Sequence, residues 1–153
     1  VSEGVLWYFP AGIPHSIQGI GEDGCEFLLV FDDGDFSEDY TFQLTDWLAH
    51  TPREVLAKNF DVPEEVLAQI PKHELYIFQT EVPGPLKSDQ TIGNGPVPQT
   101  FSHRMLAQEP LRTRSGTVRI TDSTIFPIAK NIAAGLVEVE PGGMRELHWH
   151  PNS

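Results

Sequence analysis

The 153 residues carry 39% hydrophobic and 21% charged side chains, enough apolar surface for one globular domain of ordinary size and too much for a disordered tail. Ten Lys and Arg stand against 22 Asp and Glu, a formal charge of -12, so a phosphate backbone is repelled and no nucleic-acid partner is expected. Apolar runs such as residues 27–31 stop far short of the ~20 residues that a membrane-crossing helix needs, and the single cysteine, Cys25, has no internal disulfide partner and reads as a buried strand-end residue. The sequence opens at Val1 rather than Met and stops inside what reads as a strand and its turn. Both ends read as cuts, which predicts an internal piece of a longer protein whose targeting signals lie out of view.

Residues 5–9 (VLWYF) form the first apolar run, closed by Pro10, Gly12 and Pro14, and a second run spans 26–31 after a glycine-rich turn at 19–24. This punctuation predicts antiparallel strands. After the turn Asp32-Asp33-Gly34-Asp35, Phe42, Leu44, Trp47 and Leu48 recur at helical spacing, with Thr41 or Thr45 as candidate caps. A second short helix runs from Pro52 through Val55, Leu56 and Phe60, and a third opens at Pro63 with Glu64 and Glu65 in its first turn, passes Leu67 and ends by Pro71. Between Thr80 and Pro110 the prolines and glycines are dense and periodicity is weak, which predicts a connector. Strands resume at 116–122 and 133–140, and a Pro141-Gly142-Gly143 turn leads to a last strand over 145–150. The order strands, helices, connector, strands places parts of two β-domains at the two ends.

Histidines carry the chemistry. In His148-Trp149-His150 the two imidazoles are two residues apart, so on a strand both face one way, with Trp149 and Leu147 opposite. Such a pair is half of a metal site, or two surface histidines on a half-exposed strand. Five residues separate Gly142 from His148; at the other end Gly4, five residues, Pro10-x-Gly12, two residues and His15 place one imidazole behind a turn, as a ligand or as a turn cap.

Together these spacings resemble the two motifs of the cupin superfamily, Gly-x5-His-x-His and Gly-x5-Pro-x-Gly-x2-His-x3-Asn, with Gly19 where the Asn is usual. In one cupin the His-x-His motif comes first; here it comes second, with 132 residues between His15 and His148. That order implies the end of one cupin, a connector and the start of another. Residues 6–18 (LWYFPAGIPHSIQ), 26–34 (EFLLVFDDG), 42–52 (FQLTDWLAHTP) and 144–152 (MRELHWHPN) are similar, in order and spacing, to the bicupin oxalate decarboxylases. The resemblance implies a mainly β fold, portions of two double-stranded β-helices: residues 1–36 end the first cupin, 37–79 hold a lid and helices, 80–115 link the domains and 116–153 start the second cupin.

The same resemblance implies Mn- and dioxygen-dependent conversion of oxalate to formate and carbon dioxide, with three His and one Glu per metal. His15 would be the last ligand of one site, and His148 and His150 the first two of the other. The residue types alone also admit Fe, Co, Ni or Zn. Decarboxylation leaves a carbon that must be protonated away from water, and Ser37-Glu38-Asp39-Tyr40-Thr41 matches the family's lid, so Glu38 would be the proton donor. Without the resemblance, Glu38 is an acid at the start of a helix, and Asp39 and Tyr40 depart from the commoner lid. Arg145 would bind the oxalate carboxylate, although strict alternation puts it on the face opposite His148. Trp7 and Trp149 read as core aromatics in preference to electron carriers beside the metals, and His50 as a packing or interface residue.

Other readings are an oxalate oxidase lacking an effective lid donor, a non-catalytic binding or storage bicupin, and a single three-histidine site built from His15, His148 and His150. By family resemblance the protein is a homo-oligomer, a hexamer with the helices after Asp46 between protomers, cytoplasmic if bacterial and secreted if fungal. The isolated 153 residues are expected to be inactive.

Overall fold

The computed structural model describes residues 2–84 and 99–151. Part of the expected connector, residues 85–98, lies outside them. Two compact units share the chain: Val1–Asp32 with Pro83–Ser153, and Asp33–Val82.

In the first unit, β1 (Val5–Trp7) pairs antiparallel with β2 (Ser102–Arg104), Leu6 opposite His103, and the Tyr8 amide extends the ladder to the Phe101 carbonyl at 2.9 Å. A second sheet orders β3 (Leu111–Thr113), β4 (Gly116–Thr121) and β5 (Ala134–Val139), all antiparallel. On one face of β4 and β5, Thr117 and Arg119 both donate to Glu138, while Val118 lies opposite Val137 on the other. Met105, Phe126 and Ala129 are buried in this unit.

The strands expected over 116–122 and 133–140 therefore form, slightly shortened. Residues 102–113, read from the sequence as connector, instead supply β2, a 3-10 turn (Met105–Ala107) and β3. Three-residue strands are too short for periodicity to register, and β2 exists because β1, about 100 residues away, offers it a ladder. The runs at 26–31 and 144–150 join neither sheet. An alternating pattern specifies faces but cannot supply the strand that accepts the backbone hydrogen bonds. Leu28, Leu147 and Trp149 are accordingly 88%, 96% and 84% exposed, and Cys25 is exposed rather than buried.

The second unit carries α1 (Leu44–His50), α2 (Arg53–Phe60) and α3 (Glu64–Leu67), with Leu56 and Leu67 buried. Prolines 52 and 63 occupy the N-caps of α2 and α3, one position earlier than expected for Pro63. Neither Thr41 nor Thr45 caps α1: Gln43 is its N-cap and makes no side-chain bond there. The Thr45 hydroxyl is used elsewhere, accepting from the Leu75 amide at 3.2 Å. Among the described residues no helix is long and apolar enough to cross a membrane.

Candidate metal and proton-donor sites

Two tight turns deliver the histidines. At Pro10–Ala11–Gly12–Ile13 the Ile13 amide returns to the Pro10 carbonyl at 3.1 Å with Gly12 at φ +82°. At Glu140–Pro141–Gly142–Gly143 the Gly143 amide returns to the Glu140 carbonyl at 2.8 Å with Gly142 at φ +79°. Positive φ at the third position alone is the type II pattern, which a side chain at Cβ opposes, so glycine is required at both places.

Behind the first turn, His15 Nδ1 bonds the Ile13 carbonyl at 3.0 Å, and its ring lies flat on Phe9, centroids 3.9 Å apart and planes 1° from parallel. Behind the second, His148 Nδ1 bonds the Glu146 carbonyl at 2.8 Å. A carbonyl only accepts, so Nδ1 is the donor in both contacts and Nε2 is the nitrogen left for a ligand. This is the arrangement in which a histidine binds a metal through one nitrogen while the backbone fixes the other. The rings of His148 and His150 are 5.1 Å apart at 82°, on one side of the chain as their spacing predicts.

His15 does not join them. No group of three or more His, Cys, Asp or Glu gathers among the described residues, which removes the single three-histidine site. Arg145 lies in the exposed 144–150 stretch, where the chain is outside any sheet and strict alternation does not bind it. Neither Trp7, 48% exposed, nor Trp149 is the buried core aromatic expected; Trp7 stacks on Phe9 at 5.9 Å instead. His50 closes α1, its Nδ1 2.9 Å from the Asp46 carbonyl and 3.2 Å from the Asp46 carboxylate, an exposed last-turn pairing.

In the second unit Glu38 opens a 3-10 turn (Glu38–Tyr40) capped by Ser37, whose hydroxyl accepts from the Asp39 amide at 3.3 Å. The negative charge of the Glu38 carboxylate is the largest cause raising the ionisation of the Tyr76 phenol above the usual 10.0. Two neighbours went unread in the sequence, Phe9 beside His15 and Tyr76 beside Glu38. Phe9 is hidden inside an apolar run, and Tyr76 lies 38 positions from its partner with no periodicity to connect them.

A family model described as cupin matches residues 1–67. Over 154 residues the chain is 60% identical to oxalate decarboxylase OxdC of Bacillus subtilis, covering 100% of this chain and 40% of that protein. Residues 1–67 are thus similar to the cupin family. The chain is also 41% identical over 157 residues to a probable oxalate decarboxylase of Arthroderma benhamiae, covering 98% of itself and 37% of the relative. The Bacillus subtilis oxalate decarboxylase structure at pH 4.6 matches with TM-score 0.92 and 61% identity, over 99% of this chain and 40% of the other. A structure concerned with the Mn(II) centers of that enzyme matches with TM-score 0.92 and 60% identity over the same shares, 99% and 40%. The fold is thus the cupin fold read from the motifs, and the chain spans about 40% of the length of these relatives.

Proposed function

We propose that this chain is part of an oxalate decarboxylase, a carboxy-lyase taking oxalate and one proton to formate and carbon dioxide. The main support is its match, along its whole length, to proteins of that name. Two metal positions are proposed, one using His15 and one using His148 and His150, with the remaining ligands contributed from outside the 153 residues. The fit rests on the two Nδ1–carbonyl bonds, which leave Nε2 of His15 and His148 as the nitrogen available to a metal. Manganese is the metal assigned, since a mixed imidazole and carboxylate set suits it; with dioxygen it supplies the one-electron chemistry that loosens the carbon–carbon bond.

The chain's own residues do the rest. Arg145 offers two parallel N–H donors to one oxalate carboxylate and fixes its orientation. Glu38 delivers the proton to the carbon left by carbon dioxide, which turns a one-carbon fragment into formate. The exposed Phe42, Leu44 and Trp47 around α1 give an apolar surface on which copies of the protein associate, and a homo-oligomer, a hexamer, is the assembly proposed.

The test is turnover by the intact protein loaded with Mn(II) in air. Formate equimolar with oxalate consumed is expected, and Glu38→Gln is expected to lose at least about 100-fold in formate production, the usual worth of a positioned proton donor. Hydrogen peroxide in place of formate would reassign the protein as an oxidase, the outcome that Asp39 and Tyr40 in the lid make worth measuring. Retention of metal without any product would make it a binding cupin. The isolated 153 residues are expected to show no turnover.

A further inference from the structure

Phe9 stands between two fixed pieces of backbone. On one side β1 ends at Trp7 and the Tyr8 amide carries its ladder on to the Phe101 carbonyl at 2.9 Å; on the other, the Ile13 amide closes the turn at the Pro10 carbonyl at 3.1 Å. The Phe9 ring is half-buried and meets the rings of Trp7 at 5.9 Å and Phe101 at 6.4 Å, each at 21°. Two aromatic neighbours thus hold it in place. On it lies the His15 imidazole, centroids 3.9 Å apart and planes 1° from parallel, a separation at which dispersion between two faces is near its best. The rest of His15 is exposed, and the bond from Nδ1 to the Ile13 carbonyl at 3.0 Å fixes one corner of the ring without fixing its plane, because a carbonyl oxygen accepts over a broad range of directions.

We infer that Phe9 is a positioning residue for metal binding, whose ring sets the plane of the His15 imidazole and so the direction from which Nε2 meets the ion. The inference rests on the reading of His15 as a metal ligand. The two restraints divide the work. Turning the imidazole over keeps the stack but takes Nδ1 away from the carbonyl, so the hydrogen bond selects which nitrogen faces the metal. Tilting the ring about that bond breaks the stack, so Phe9 selects the plane. A ligand free to tilt spends part of its time outside the window of about 0.5 Å and about 10–20° that a binding constellation needs, and the ion leaves faster. One aromatic pair corresponds to about two- to ten-fold in binding. At the other proposed metal position the rings of His148 and His150 meet each other at 5.1 Å and 82°, which makes that position an internal reference.

The experiment follows Mn(II) in the intact protein and in its Phe9→Leu, Phe9→Tyr and His15→Ala variants. Leucine keeps the apolar bulk and removes the flat face; tyrosine keeps the face. In Phe9→Leu, transfer of Mn(II) to excess chelator is expected to accelerate about two- to ten-fold for one of the two ions and to stay unchanged for the other. The electron paramagnetic resonance signal of the first ion is expected to broaden as its ligand geometry spreads, and Phe9→Tyr to restore both readouts. A side chain that only filled space would move the unfolding midpoint and leave that signal as it was. Phe9→Met, a flexible chain of similar bulk, carries the same comparison if Phe9→Leu does not fold. Release unchanged in Phe9→Leu, or accelerated equally at both positions, overturns the positioning role, and loss of one ion in His15→Ala then leaves the ligand reading standing. Two ions retained by His15→Ala overturn the ligand and the positioning role together.

Discussion

Gln108 shows how one side chain joins elements that the sequence lists apart. Its Oε1 accepts from the Thr121 hydroxyl and from His103 Nε2 at 2.9 Å, while its Nε2 donates to the Ile120 carbonyl at 2.9 Å. Its own carbonyl accepts from Arg119 Nε at 3.1 Å. The amide therefore ties the 3-10 turn, β2 and β4 together, with Thr121 only 3% exposed. Thr121→Val removes one donor of two at Oε1 and is expected to cost about 1 kcal/mol; Gln108→Leu strands three partners at once and is expected to cost more, about 1–3 kcal/mol. Denaturant midpoints of the intact protein check the ranking, and equal effects would mean that the amide is not the hub. None of this was legible beforehand, because a glutamine at the end of a proline-rich stretch carries no periodic signal. His15, His148 and His150 were legible, because their spacing from a turn glycine is itself a local geometric device.

At the scale of elements, the turns that carry the histidines follow from residue type alone. Gly12 and Gly142 hold positive φ with open space where a Cβ would go, so alanine there meets no clash and suffers only backbone strain. Gly12→Ala and Gly142→Ala are each expected to destabilise their turn by about 1–2 kcal/mol, the cost of placing an L-residue in the left-handed region. The measurement is the unfolding midpoint together with Mn(II) retention by the intact protein. Loss of metal beyond loss of fold is expected, since each turn aims the imidazole behind it. Helices were legible for a related reason, prolines 52 and 63 marking their starts. The strands expected at 26–31 and 144–150 do not form in either sheet, because a ladder is a property of two segments and the pattern of one cannot reveal the other.

At the scale of the whole molecule, pH acts through carboxylates bonded in the folded state. The Thr117 hydroxyl, with Arg119 second, holds Glu138 below its ordinary 4.5, and the Thr124 hydroxyl and amide hold Asp122 below 3.8. Both folded values lie under the unfolded ones, so the stability these groups contribute is present above the ordinary carboxylate range and is lost as pH falls through the depressed values. Exposure screens both groups, so the effect is modest. Thermal midpoints are expected to be flat between about pH 7 and 5 and to fall below about 4.5, less steeply in Glu138→Gln. Sequence by itself determined the cupin motifs, their inverted order, the helices and the two glycine turns, since each depends on residues within one or two turns of chain. Tertiary structure alone decided the pairing of β1 with β2, the Gln108 hub, the stacking of Phe9 on His15 and the nearness of the Glu38 charge to Tyr76. Those contacts depend on which distant segments the fold brings within hydrogen-bond or van der Waals range, and short-range pattern contains no record of that.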